Sequence, residues 1–144
     1  LKLKPNRTRK PTIRHQANEK MRHRKRGRKL GLSTTHKTSM MRNMACSLLR
    51  HGRIRTTVPK AKELQRFVEP LVTLAKEDTV HRRRRAARHI HDHTALQTLF
   101  NELGPEMKET PGGYTRVIKL GNRTGDGAPV CFLEWVNYVP DLEG

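Results

Sequence analysis

Negative charge is nearly missing from the first 60 residues. Glu19 is the lone acid there, against 19 Lys and Arg, whereas residues 61–144 set 12 basic side chains against 12 acids. The formal net charge of +18 therefore belongs to the N-terminal part alone. So basic a stretch cannot neutralise itself, and compacting it costs self-repulsion unless a polyanion supplies counter-charge. Nucleic acid is the leading polyanion, and an acidic membrane surface is the weaker one. Aromatic residues make up only 4% of the chain, which argues against the exposed stacking platforms that bind single strands. Cysteine is limited to Cys46 and Cys131. Their wide separation excludes a disulfide framework and suits small buried hydrophobes in a reducing compartment. No apolar run approaches the roughly 20 residues needed to span a bilayer, and no apolar secretory segment follows the basic N-terminus. A soluble, intracellular chain is expected.

Signatures of catalysis are absent as well. There is no nucleophile elbow, no phosphate loop and no His-Glu metalloprotease motif. The acids are scattered, with no pair suited to general acid–base work. His89, His91, Asp92 and His93 sit close together but straddle an expected helix break. They lack a cysteine or acidic partner at zinc-site spacing, so an exposed helix end is the simpler assignment. The expectation is a non-enzyme with no metal and no cofactor.

What the chain does contain falls into four parts. Residues 1–20 form an N-terminal extension ahead of Met21, and residues 21–34 form a basic arm. Residues 35–140 are expected to make one globular domain, and residues 141–144 a short tail. The first 32 residues have almost no large apolar side chains and no periodicity. They cannot offset the entropy of ordering, so the arm is expected to be disordered when free.

Order is expected to begin at Ser33–Thr34–Thr35, a hydroxyl cluster suited to capping a helix. Met40, Met41, Met44, Ala45, Leu48 and Leu49 then lie on one helical stripe, and Gly52 is the stop. Ser39, Arg42, Asn43, Ser47 and Arg50 project from the opposite face. Residues 53–58 alternate like a short strand. Pro59 opens a second helix, with Ala61, Leu64, Phe67, Val68, Leu71, Val72 and Ala75 as its stripe. Pro70 is expected to kink or break it. A third helical stretch covers residues 79–90, and a fourth runs from about Thr94 until Gly104 and Pro105 end it. Residues 114–120 and 130–136 are β-rich and joined by a long turn, as in a hairpin. The expected fold is α+β in two layers, ordered helix, strand, three helices and two-strand hairpin, with one sheet face covered by helices.

The segment MRHRKRGRKLG at residues 21–31 is the sharpest local feature. Closely spaced Arg and Lys can neutralise successive phosphates, and glycines let the backbone approach a crowded surface. Structured RNA, met through phosphates and shape, is the favoured ligand. The run Arg82–Arg83–Arg84–Arg85 divides evenly between RNA contact and a solvated helix face paired with Glu77 and Asp78. A basic architectural DNA-binding protein of the nucleoid would share the arm, but should also show a recognition helix or an apolar wedge.

From Met21 to about Val136 the chain resembles the bacterial-type large-subunit ribosomal protein seventeen family. The resemblance rests on four blocks in order. These are the 21–31 segment, THKTSMMRNMACSLLRHGRIRTTVPKAKELQRFVEPLVTLAK at 35–76, LFNELGPEM at 99–107, and GGYTRVIKLGNRTGDGAPV at 112–130. Residues 81–93 match only loosely. The resemblance implies the same element order and a structural role in the large subunit. It implies binding to large-subunit rRNA on the solvent side near the peptide exit region, beside other ribosomal proteins. It also implies RNA-facing side chains at Arg22, His23, Arg24, Lys25 and Arg28 in the arm, at His36, Lys37, Arg42, Asn43 and Arg50 around the first helix, and at Lys60 and Lys62 in the second. A bacterial cytoplasm is favoured over an organelle, because no amphipathic transit-type arm is present.

Overall fold

A computed structural model of the chain describes residues 27–139. Helix α1 (Thr34–His51) starts where Ser33 leaves the extended region and its hydroxyl accepts the His36 backbone N–H. It ends at Gly52 in the left-handed conformation, whose N–H returns to the Leu48 carbonyl. Strand β1 (Arg53–Thr57) follows at once, and α2 (Val58–Ala75) opens with Pro59 in its first turn. Helix α3 (Val80–Ala87) is capped by the Thr79 hydroxyl. Helix α4 (His93–Thr98) is capped by Asp92. It runs directly into a π-helical turn at Leu99–Leu103 and a last turn, α5 (Gly104–Glu106). Strands β2 (Thr115–Asn122) and β3 (Pro129–Trp135) complete the fold as a hairpin. The α+β class and the order of helix, strand, helices and hairpin agree with the expectation from sequence.

The sheet has the order β1-β3-β2, antiparallel throughout, so the last strand lies between the other two. Its register puts Ile54, Leu133 and Val117 side by side on the face toward the helices. Leu133 is fully buried there, with Leu48, Leu64, Val72, Leu99 and Leu103 supplied by the helical stripes. On the open face Arg53, Glu134 and Arg116 form one rung. The buried Glu134 carboxylate accepts from Arg53 at 2.7 Å and from Arg116 at 2.6 and 3.0 Å. Burial alone would raise this carboxyl, but the two guanidinium groups outweigh it and hold it below its ordinary value.

Polar residues at four-residue spacing on α2 clip the start of β2. Glu69 accepts the Tyr114 and Thr115 N–H groups and the Thr115 hydroxyl, and Gln65 donates to the Thr115 carbonyl and hydroxyl. Thr73 meets the Tyr114 hydroxyl at 3.3 Å. These bonds satisfy backbone groups where the sheet begins, and that is why the strand starts at Thr115.

Helix α2 is not broken at Pro70, where a kink or break was expected. This proline sits on the exposed side, as does Arg66, whose carbonyl it deprives of a helical partner. Val68, Leu71 and Val72 meanwhile remain buried and hold the register. The fourth helical run stops at Glu106, one residue past Pro105 and close to its expected end. The π-helical turn lets the Gly104 N–H reach back five residues to the Leu99 carbonyl, and Pro105 then occupies a first-turn position that needs no donor.

Gly104 is the close-approach point between this helical run and α2. A Cβ there would lie 2.3 Å from the Ala75 carbonyl oxygen and 2.9 Å from its carbon. Backbone would have to move, so Gly104→Ala is expected to destabilise the protein by about 1–3 kcal/mol or more. A chemical-denaturation midpoint equal to wild type would contradict this packing.

Candidate nucleic-acid interface

Residues 27–33, the described part of the basic arm, are largely exposed but held to the body at Gly27, Arg28 and Leu30. Gly27 takes φ +103°, Leu30 takes φ +59°, and the Leu32 N–H closes a turn on the Lys29 carbonyl. Leu30 is half-buried against the core. The Lys37 ammonium donates to the Arg28 carbonyl and to Glu63 Oε2, the latter at 3.1 Å. Glu63 is 7% exposed. Burial pushes its carboxyl up, but the Arg28 backbone N–H and Lys37 pull harder and leave it below the ordinary value. A buried carboxylate thus grips the backbone at the root of the arm and sets where the arm leaves the body.

The opposite side of α1 borders an open groove of about 430 Å³. Met40, Met44 and Ile54 supply its apolar lining, and Asn43, Ser47, Thr56, Arg55 and Lys60 its polar lining. No carboxylate lines it among the described residues. Such a surface offers cations and neutral hydrogen-bonding groups side by side, suited to phosphates and sugar hydroxyls.

Of the side chains implied to face RNA, Arg22, His23, Arg24 and Lys25 lie outside the described residues. Arg28 and His36 are exposed, Asn43 and Lys60 share the groove, and Lys62 is exposed on α2. Three others are engaged within the protein. Lys37 holds Glu63, and Arg50 pairs with Asp92 at 2.5 and 2.9 Å. Arg42 donates to the Arg88 carbonyl at 3.1 Å, while its Nε is buried without a partner. The structure therefore brings Asn43 and Lys60 together and assigns Lys37 an internal contact.

The arginine run divides in two. Arg82 pairs with Glu77 at 2.5 Å. Arg83 pairs with Asp78 at 2.5 and 2.7 Å, donates to Asn101 and lies over the Phe100 ring. Arg84 and Arg85 are exposed, with no ion pair among the described residues. Sequence reasoning missed Glu63, Gln65 and Glu69, and the signal for Glu63 was available. It is the first acid after Glu19 in a basic stretch, and an isolated acid in such a place has a specific cation to hold.

Other chemistries find little support. Among the described residues no three His, Cys, Asp or Glu side chains are grouped to hold a metal ion. Cys46 and Cys131 are free, and burial pushes both thiols up, away from reactivity. No helix among the described residues is long and apolar enough to cross a membrane. The family model for ribosomal protein L17 matches residues 40–136, which takes in both α1–β1 and the hairpin. With two-thirds of the chain covered by that match, the protein belongs to the ribosomal protein L17 family and is a structural constituent of the large ribosomal subunit.

Proposed function

We propose that the protein binds large-subunit rRNA near the peptide exit region, beside other ribosomal proteins, and so supports subunit assembly and translation. The observation that carries this is the acid-free groove between α1 and β1, rimmed by Asn43, Arg55 and Lys60. It continues the charge asymmetry of the chain onto the folded body. The exit-region placement rests on the family resemblance, and the bacterial cytoplasmic setting on the sequence expectation alone. The domain plan remains that of a basic arm on residues 21–34, a body on residues 35–140, and flanking segments at 1–20 and 141–144.

In this scheme the arm enters between RNA helices where a compact body cannot reach, and the groove takes the RNA surface beside its root. With about six to ten phosphate contacts, affinity for bare RNA falls by about three to five orders of magnitude between 50 and 200 mM salt. Large-subunit rRNA and generic duplex DNA of equal length, titrated in parallel at matched salt, discriminate the possibilities. Preference for the rRNA by tenfold or more is expected, because a groove shaped for RNA gains contacts that DNA does not offer. Equal binding to both would support the architectural DNA-binding alternative instead.

A further inference from the structure

We propose that the cleft between α2 and α3 is a second RNA-backbone site, in which Arg66, Arg85 and Arg88 hold phosphates. This rests on the rRNA-binding function proposed above and extends it to a face that neither the arm nor the α1–β1 groove supplies. The cleft measures about 430 Å³ and its floor includes Phe67 and Leu74. Three arginines from two different helices line it together with His89, which stands edge-on to Phe67 with ring centroids 5.7 Å apart. No carboxylate lines it among the described residues.

The cations at this cleft are largely free of internal partners. Arg85 and Arg88 are exposed and make no ion pair among the described residues, in contrast to Arg82 and Arg83 one turn away. Arg66 is 65% exposed, and its contact with Glu63 is a long 3.5 Å. That carboxylate is already engaged by Lys37 and the Arg28 backbone. Favourable placement at a helix C-terminus would account for Arg84 and Arg85 on α3. It does not account for Arg66, which shares the cleft with Arg85 and Arg88 from the middle of α2. Planar guanidinium groups at one cleft form a fork-like donor set matched to phosphate oxygens.

The position of Arg88 is also fixed, because its carbonyl accepts from the half-buried Arg42 of α1. Arg66, Phe67 and Pro70 also line the adjoining open depression at the arm root, whose other lining includes Gly27, Lys37, Glu63 and Glu69. The arm and the cleft are therefore neighbouring parts of one surface.

The test uses the full chain and large-subunit rRNA, with binding measured from 50 to 400 mM salt. The double variant Arg85→Gln/Arg88→Gln is expected to lower the salt slope by about 2 and the affinity at moderate salt by about tenfold, with thermal unfolding unchanged. Arg85→Lys/Arg88→Lys should restore most of the slope. The control Arg82→Gln/Arg83→Gln should leave it unchanged. An unchanged slope in the first variant, while truncation of the arm still flattens it, would overturn the cleft and leave the rRNA-binding function standing. A slope insensitive to both would remove both. Weaker binding at unchanged slope with a lowered unfolding temperature would reveal a purely structural effect and also overturn the cleft.

Discussion

Cutting the chain immediately before Gly27 is expected to reduce affinity for large-subunit rRNA by on the order of a thousandfold at low salt and to flatten its salt dependence. The truncation removes 11 Lys and Arg with one acid. Each phosphate that a cation neutralises contributes about 0.7–0.9 to the logarithmic salt slope. Loss of about six contacts therefore lowers the slope by about 4–5. Binding at 50 mM salt should then resemble what the intact chain shows several-fold higher in salt.

The place of the cut matters. Residues 27–32 belong to the anchored root, where Leu30 meets the core and Glu63 and Lys37 hold the Arg28 backbone. A longer deletion through residue 32 would take the Arg28 backbone from Glu63 and Lys37 and Leu30 from the core, and so confound binding with stability. With the cut ahead of Gly27, thermal unfolding should stay within a degree or two of the intact chain. A wild-type salt slope in the truncated protein would contradict the role given to the arm.

The second large effect is expected at Trp135. Its ring is buried at 3% exposure, and its indole N–H donates to the Leu48 carbonyl at 3.0 Å. Beside it the Trp135 backbone N–H reaches the Gly52 carbonyl. One side chain thus ties the end of α1 to the central strand of the sheet. Trp135→Ala is expected to cost about 3–5 kcal/mol, from lost burial and an incompletely closed cavity. That is a large share of the roughly 5–15 kcal/mol typical of a whole domain. Trp135→Phe keeps much of the ring but not the donor, and should cost clearly less. Trp135 is the single tryptophan of the chain, so far-UV circular dichroism has to follow the unfolding. A loss below 1 kcal/mol in the alanine variant would mean that the α1–β3 junction does not depend on this residue.

The elements that were legible in the sequence are those specified by local pattern. Ser33 and Gly52 bound α1 through capping chemistry that acts within four residues. The apolar stripe from Ala61 to Ala75 gave α2, and the β-rich runs on either side of a glycine-containing turn gave the hairpin. What was not legible depends on partners distant in the chain. Whether Pro70 breaks a helix is decided by whether it falls on the exposed side, and the buried neighbours of Pro70 settle that. Gly104 reads as a stop signal, yet it serves close contact with Ala75 some thirty residues earlier.

The same distinction holds for the interface. The charge asymmetry pointed to a polyanionic partner, and the polar face of α1 was visible from its period. Which cations remain available was not visible, because pairing with distant acids decides it. Arg50 meets Asp92 and Arg53 meets Glu134 only after folding. Arg66 and Arg85 share a cleft for the same reason, from helices whose relative placement no local pattern reveals.

The most direct test of the central claim is a sucrose-gradient profile of cell lysate, probed for this protein before and after a high-salt wash. A structural constituent held by arm, groove and cleft together should sediment stoichiometrically with the large subunit and remain there through the wash. Release into the light fractions by salt, or a position at the top of the gradient from the start, would contradict it.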